Sequence, residues 1–228
     1  MQLEPAPRRY LLALLMTYAV LWAMSAIAPF DRHDWLLENL LVVAVVGALL
    51  VGYRHYQPSR AAATLIFAYL CLHQLGAHYT YAKVPYDDWW QALTGQTLSE
   101  VTGWQRNHYD RLVHLCYGLL LAYPMREIML RLGLRPGLWS YVLPVEVTLS
   151  TSAIYELIEW TGAELLGGGL GRTYLGTQND PWDAQKDMAL ATLGALAAML
   201  WLALLHAWQP FRSPCRSSAD PAPGGLHR

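Results

Sequence analysis

The chain has 228 residues, 54% of them hydrophobic and 14% charged, with ten Trp and fourteen Tyr. A soluble domain carries about a quarter charged residues; here the apolar residues gather in runs each long enough to cross a bilayer, which excludes an ordinary soluble domain. A net charge of −1 leaves no basic face or stripe for nucleic acid, so no nucleic acid partner is expected.

The first apolar run, Tyr10 to Ala28, follows Arg8 and Arg9. It ends in Ala26-Ile27-Ala28, like a signal-peptide cleavage site, but exceeds the roughly 7 to 15 residues of a signal core and reads as an uncleaved first span. The second run, Leu36 to Tyr53, follows a short acidic loop with Asp31, Asp34 and Glu38; the third, Ala61 to Tyr79, carries His73, Gln74 and His78 near its far end. A Trp-rich loop, 82–107, then suits a segment lying against lipid headgroups. Asn107 opens the fourth run, which closes on Arg126, Arg131 and Arg135, with Pro124 expected to kink or stop it. The fifth covers about Leu138 to Leu166, interrupted by Pro144, and the sixth about Pro181 to Trp208.

These runs predict an all-α, polytopic membrane protein with about six transmembrane helices in one bundle, residues 1–208. The remaining 20 residues, 209–228, rich in Pro, Ser and Gly, predict a disordered cytoplasmic tail. Cys71, Cys116 and Cys215 form no CxxC pair and no framework spacing, so neither a disulfide nor a cysteine zinc site is expected. Six spans place Arg8, Arg9, Arg54, Arg60, Arg126, Arg131, Arg135, Arg212, Arg216 and Arg228 on one side, against Arg32, Lys83, Arg106, Arg111, Arg172 and Lys186 on the other. The richer side is expected to be cytoplasmic, both termini with it.

That topology brings polar ends of four spans into one outer slab of the membrane. His73 and His78 come from the third, Asp110, Arg111 and His114 from the fourth, Glu156 and Glu159 from the fifth, and Asp183, Lys186 and Asp187 from the sixth. Ionisable groups inside membrane segments are costly and mark functional sites by default. Asp110 and His114, Glu156 and Glu159, Asp183 and Asp187, and Gln74 and His78 each share a helix face, whereas His73 and His78, five apart, point differently.

A structural account competes at each position. Asp180 before Pro181 reads as a helix cap with Asp183 three residues on, an arrangement that Asn107 and Asp110 repeat. Asp187, His114, Glu156 and Glu159 lie where capping does not explain them; there a carboxylate persists by pairing with Arg111, Lys186 or a histidine. Glu146 is expected to pair with Arg126. Trp160, Trp182, Tyr155 and Tyr174 border the cluster as an aromatic belt. Gly167, Gly168, Gly169, Gly171 and Gly176 form a turn without P-loop character.

The candidates to react are thus Asp110, His114, Glu156, Glu159, Asp183 and Asp187. His73, His78, His114 and Glu159 are candidates to hold a divalent metal, the one cofactor considered, and Arg111, Tyr155, Gln178 and Lys186 to hold substrate. Three readings stay open: an enzyme acting on a lipid-linked or envelope substrate, a proton-linked binding or transport protein, or a scaffold without catalysis. Membrane lipid is the expected partner.

On NHYDRLVH, YELIEW and GTQNDPWDAQKDM the chain resembles the YjdF-like bacterial inner-membrane proteins over roughly its first 208 residues. Asn179 stands where that motif has Gly, at a turn position that Asn tolerates. More distantly, the Asp-Arg-x-x-His helix start, the paired acids and the Asp-rich last helix look like the VanZ-type membrane proteins. The first resemblance implies a multi-pass protein of the bacterial inner membrane, and neither implies a particular reaction.

Overall fold

The computed structural model describes residues 4–168, 171, 175 and 177–208. The expectations for Gly169, Arg172, Tyr174, Gly176, Cys215 and the tail from 209 onward lie outside the described residues. The described part is all helical: α1 (Arg8–Ser25), α2 (Arg32–Gly52), α3 (Arg60–Tyr79), a 3-10 turn (Tyr81–Lys83), α4 (Tyr86–Thr94), α5 (Leu98–Thr102), α6 (Tyr109–Arg131), α7 (Trp139–Leu166) and α8 (Asp183–Trp208).

The six long helices correspond to the six expected spans. By length and hydropathy α2, α3 and α8 are each sufficient to cross a membrane. The two arginines that open α1, and the ionisable residues inside α6 and α7, lower the hydropathy of the other three. Large side chains such as Leu12, Leu40, Ile154 and Leu200 are exposed on the outside of the bundle, as expected where lipid is the solvent.

One boundary differs from the sequence reading. Asp34 and Glu38 belong to no loop: α2 begins at Arg32, capped by Asp31, whose carboxylate accepts from His33 N at 2.8 Å and Asp34 N at 3.1 Å. Pro124 does not stop α6, which runs on to Arg131, and Pro144 lies inside α7. The carbonyl of Pro144 accepts the Thr148 hydroxyl at 2.8 Å.

The core of the bundle is the pair α6 and α8, with α7 and α3 against it and α1 outside α3. Ala122, Ala191 and Ala195 are wholly buried. A methyl group on Gly118 would stand 1.8 Å from Ala191 O, and one on Gly194 would stand 2.2 Å from Leu115 O, so the backbones approach through a surface of small residues. Without a hydrophobic force between helices in lipid, such close approach is a main source of association.

At the opposite end of the bundle from the starts of α6 and α8, Glu127, 1% exposed, accepts from Ser59 N at 2.7 Å, Ser59 Oγ at 2.5 Å and Arg131 Nε at 3.1 Å. Ser59 also caps α3 through Ala62 N, so this carboxylate fastens α3 to α6. The expected Glu146–Arg126 pair does not form. Glu146 is exposed, while Arg126 donates to Ser140 Oγ at 3.1 Å and lies 4.5 Å over the Tyr141 ring.

Gly118→Leu is expected to force α6 and α8 apart, at a cost above the roughly 1–3 kcal/mol of ordinary overpacking. Gly47→Leu, where an added carbon meets nothing within 4 Å, is expected to leave the midpoint of thermal unfolding in detergent unchanged.

Candidate functional site

The polar residues at the end of the bundle that holds the starts of α6 and α8 divide into two layers. The upper layer lies where the loops meet the helix starts. Asp180, in the turn before α8, accepts from Trp182 N at 3.1 Å and from Lys186 Nζ at 2.6 Å, and it also pairs with Arg111 Nη2. These partners, Lys186 first, then the Trp182 amide and Arg111, hold its carboxyl at about 2, below the ordinary 3.8. Asp183, 4% exposed, receives a forked contact from Arg106, Nη1 at 2.6 Å and Nη2 at 3.4 Å, with Arg111 Nη2 at 3.4 Å.

Around these ion pairs the loops are latched by amides. Gln178 Oε1 accepts from Asn107 N and its Nε2 donates to Asn107 O, both at 2.9 Å. Asn107 Nδ2 donates to Val84 O, and its Oδ1 accepts from Tyr109 N, closing the start of α6. Gln178 and Asn179 have φ of +47° and +66°, so Asn179 takes the left-handed conformation that Gly supplies most cheaply and Asn tolerates. His108, beside Arg111 and Arg106, is partly buried, and burial chiefly, then the two guanidinium groups, pushes its imidazole below 6.5.

The lower layer begins one turn deeper. His114 Nε2 stands 3.5 Å from Asp110 Oδ1 and 3.7 Å from Glu156 Oε1. Asp187, 2% exposed, joins them from α8, and one ligand atom each from Asp110, His114 and Asp187 lie within 4.8 Å of one another. Glu159 lies against Tyr155 and Glu156. Beside this group, His73 Nδ1 meets the Tyr81 hydroxyl at 2.6 Å and its Nε2 lies 4.0 Å from Glu38, to which Tyr155 OH donates at 3.1 Å.

The structure therefore sorts the sequence candidates. Asp183, Arg111, Lys186 and Gln178 are engaged with protein partners in the upper layer, so Asp183 is held by arginines and is not the second half of a capping box. Asp110, His114, Glu156, Glu159 and Asp187 face one another in the lower layer. The metal candidates His73, His78, His114 and Glu159 do not form one ligand set, because His78 Nδ1 bonds Ser25 O at 2.9 Å and His73 is turned to Tyr81. Gln74, read as sharing a helix face with His78, accepts from Tyr18 OH at 3.1 Å and donates to Ser25 Oγ at 2.6 Å.

Sequence reasoning missed Arg106, Glu38 and Tyr81. Glu38 was legible in principle: Asp34, Trp35, Glu38, Asn39 and Val42 recur at helical spacing and form the buried face of α2. Arg106 precedes its helix, and only the fold carries it to Asp183.

A cavity of about 390 Å³ adjoins the lower layer. Its walls are apolar side chains of α2, α3, α6 and α7, among them Leu41, Val45, Leu70, Val113, Leu121 and Ile158, and it meets the polar site at His73, Tyr81, Asp110, His114 and Tyr155. Lining residues Leu41, Val45, Ile154 and Ile158 are 37%, 45%, 55% and 48% exposed, so the chamber opens sideways between α2 and α7. The loop helices α4 and α5 carry exposed Trp89, Trp90, Leu93 and Val101 and are joined by Asp87, which accepts from Ser99 N at 3.1 Å.

The family model "Predicted membrane protein (DUF2238)" matches residues 10–208. The chain is similar to "Inner membrane protein YjdF" of Escherichia coli (strain K12), 38% identical over 195 residues that cover 85% of this chain and 89% of that protein. No solved structure matches the chain.

Asp183→Asn is expected to destabilise the folded protein by about 3–5 kcal/mol, the usual effect of leaving one partner of a buried ion pair alone. Arg106→Leu combined with Asp183→Leu should recover part of the lost midpoint of thermal unfolding, and full additivity of the two changes would show that the pair is not coupled.

Proposed function

The chain belongs to the DUF2238 family of membrane proteins, to which YjdF also belongs, and we propose that it is a bacterial inner-membrane protein that takes a long-chain lipid or lipid-linked molecule from the outer leaflet and holds its polar end at the lower layer of ionisable residues. The observation that carries this reading is the apolar chamber ending on His73, Tyr81, Asp110, His114 and Tyr155.

The chamber has the shape and polarity of an amphiphile. Its lining on α6 runs from Asp110 to Met125, about 22 Å along the axis at 1.5 Å per residue, against a hydrocarbon core of about 30 Å. Its volume is that of a small-molecule site. An apolar void forfeits dispersion contacts along its whole lining, and the medium outside the α2–α7 opening is acyl chain, so a hydrocarbon tail is the occupant that restores those contacts. Imidazole, phenol and carboxyl groups at the closed end offer donors and acceptors to the head of the molecule, and His114 with a neighbouring carboxyl is suited to acid-base work there.

The orientation follows from charge. With the arginine-rich ends of the six spans in the cytoplasm, both termini are cytoplasmic and the ionisable site faces the outer leaflet. The exposed tryptophans of α4 then lie at the outer interface. A reporter active only outside the cytoplasm is expected to be active when fused near Trp90 and inactive near Gly133, and the reverse result would place the site in the inner leaflet.

Lipid entry is testable with a photoactivatable long-chain phospholipid added to the purified chain. Crosslinks are expected on cavity residues such as Val113 and Tyr117, and Val45→Trp with Ile158→Trp should reduce them about tenfold, a difference of about 1.4 kcal/mol in occupancy. Crosslinks distributed over outward-facing positions such as Leu200, indifferent to those changes, would overturn the reading.

A further inference from the structure

The lower layer carries an imbalance that the ion pairs of the upper layer leave untouched. Arg106, Arg111 and Lys186 are all directed at Asp180 and Asp183. Among the described ion pairs Asp110 and Glu156 meet only His114, and Asp187 meets no cation. Two of their oxygens, Asp187 Oδ1 and Glu156 Oε1, are buried with no hydrogen-bond partner. Asp187 is 2% exposed, and a buried carboxylate without a partner is strongly unfavourable unless it takes up a proton or a bound group satisfies it.

We infer that Asp110, His114 and Asp187 bind a divalent transition-metal ion, with Glu156 beside His114 to complete the set. The separations fit. Adjacent ligands of a tetrahedral ion with bonds of about 2.1 Å stand about 3.4 Å apart, and His114 Nε2 lies 3.5 Å from Asp110 Oδ1 and 3.7 Å from Glu156 Oε1. The three-residue group spans at most 4.8 Å, so small side-chain rotations bring its third member onto the ion.

The donor set decides the class of ion. One imidazole with carboxylate oxygens suits manganese, iron or zinc better than the all-oxygen shells of calcium, and the absence of thiolate ligands in this group disfavours copper(I). Its positions come from three places: Asp110 and His114 are a turn apart on α6, Asp187 lies across the close α6–α8 contact, and Glu156 stands on α7. The ion would sit where the polar layer meets the apolar chamber, since Asp110 and His114 line both.

The test uses the purified full chain in detergent, stripped with a chelator and titrated with Mn2+ alone while free Mn2+ is followed by electron paramagnetic resonance. One Mn2+ per chain is expected to be taken up, with nitrogen coupling from His114 in the pulsed spectrum. His114→Ala should abolish that coupling, and Asp187→Asn should weaken uptake by more than about tenfold, the loss that even outer-shell changes produce. Glu146→Gln, at an exposed position, should bind as the parent does. Failure to saturate at one ion, uptake without nitrogen coupling, or a folded Asp187→Asn protein that binds like the parent would each overturn the inference. If Asp187→Asn does not fold, the nitrogen coupling of the parent chain decides alone. Because no lipid is added, the result is independent of the lipid reading, and either can fail without the other.

Discussion

The contact between α6 and α8 is the constraint from which the site follows. At Gly118 and Gly194 each helix lacks the side chain that would strike the other's backbone, and the surrounding alanines keep the crossing close over several turns. This distance brings two helix starts, one carrying Asp110 and His114 and the other Asp183 and Asp187, within reach of one another. Bulkier residues at the crossing would leave the same acids on separate lipid-facing surfaces, where a charge has no partner and is strongly disfavoured.

Division of the charges into two layers gives those acids different tasks. The upper carboxylates, Asp180 and Asp183, are met by two guanidinium groups and an ammonium, and they fix the loops over the bundle. Deeper in, the carboxylates outnumber the bases: His73 and His114 stand among Glu38, Asp110, Glu156, Glu159 and Asp187. A stabilising network normally balances its charges, as Glu127 does with Arg131 at the opposite end of the bundle. The lower layer does not, and it borders the chamber, which is why the functional reading rests there and not on the more numerous contacts above.

Much of the fold was legible from apolar run length, and all six long helices fall where those runs lie. The clustering of acids and histidines at one end of the bundle was legible as well, because alternate span ends must lie on one side. Individual partners were not. Arg111 and Lys186 were equally available to Asp187 or Asp183 in sequence, and only the turn at Gln178 and Asn179 directs them to Asp180 and Asp183. The acids of α2 were misread because charged residues before an apolar run look like a loop, although their helical spacing already marked a buried face. Pro124 left a kink or a stop open, and it does not stop α6: a proline signals a break in an isolated helix, but neighbouring helices sustain one that continues through it.

Among the described residues, the side-chain hydrogen bonds of α2 lie near its start, at Arg32, Trp35, Glu38 and Asn39. Beyond Asn39 the helix meets its surroundings only through aliphatic surface, including exposed Val43, Val45, Leu50 and Val51. The polar contacts that fix α2 to α1 and α7 are thus confined to the end of the bundle that carries the ionisable residues, and the chamber wall away from them is held by aliphatic packing alone.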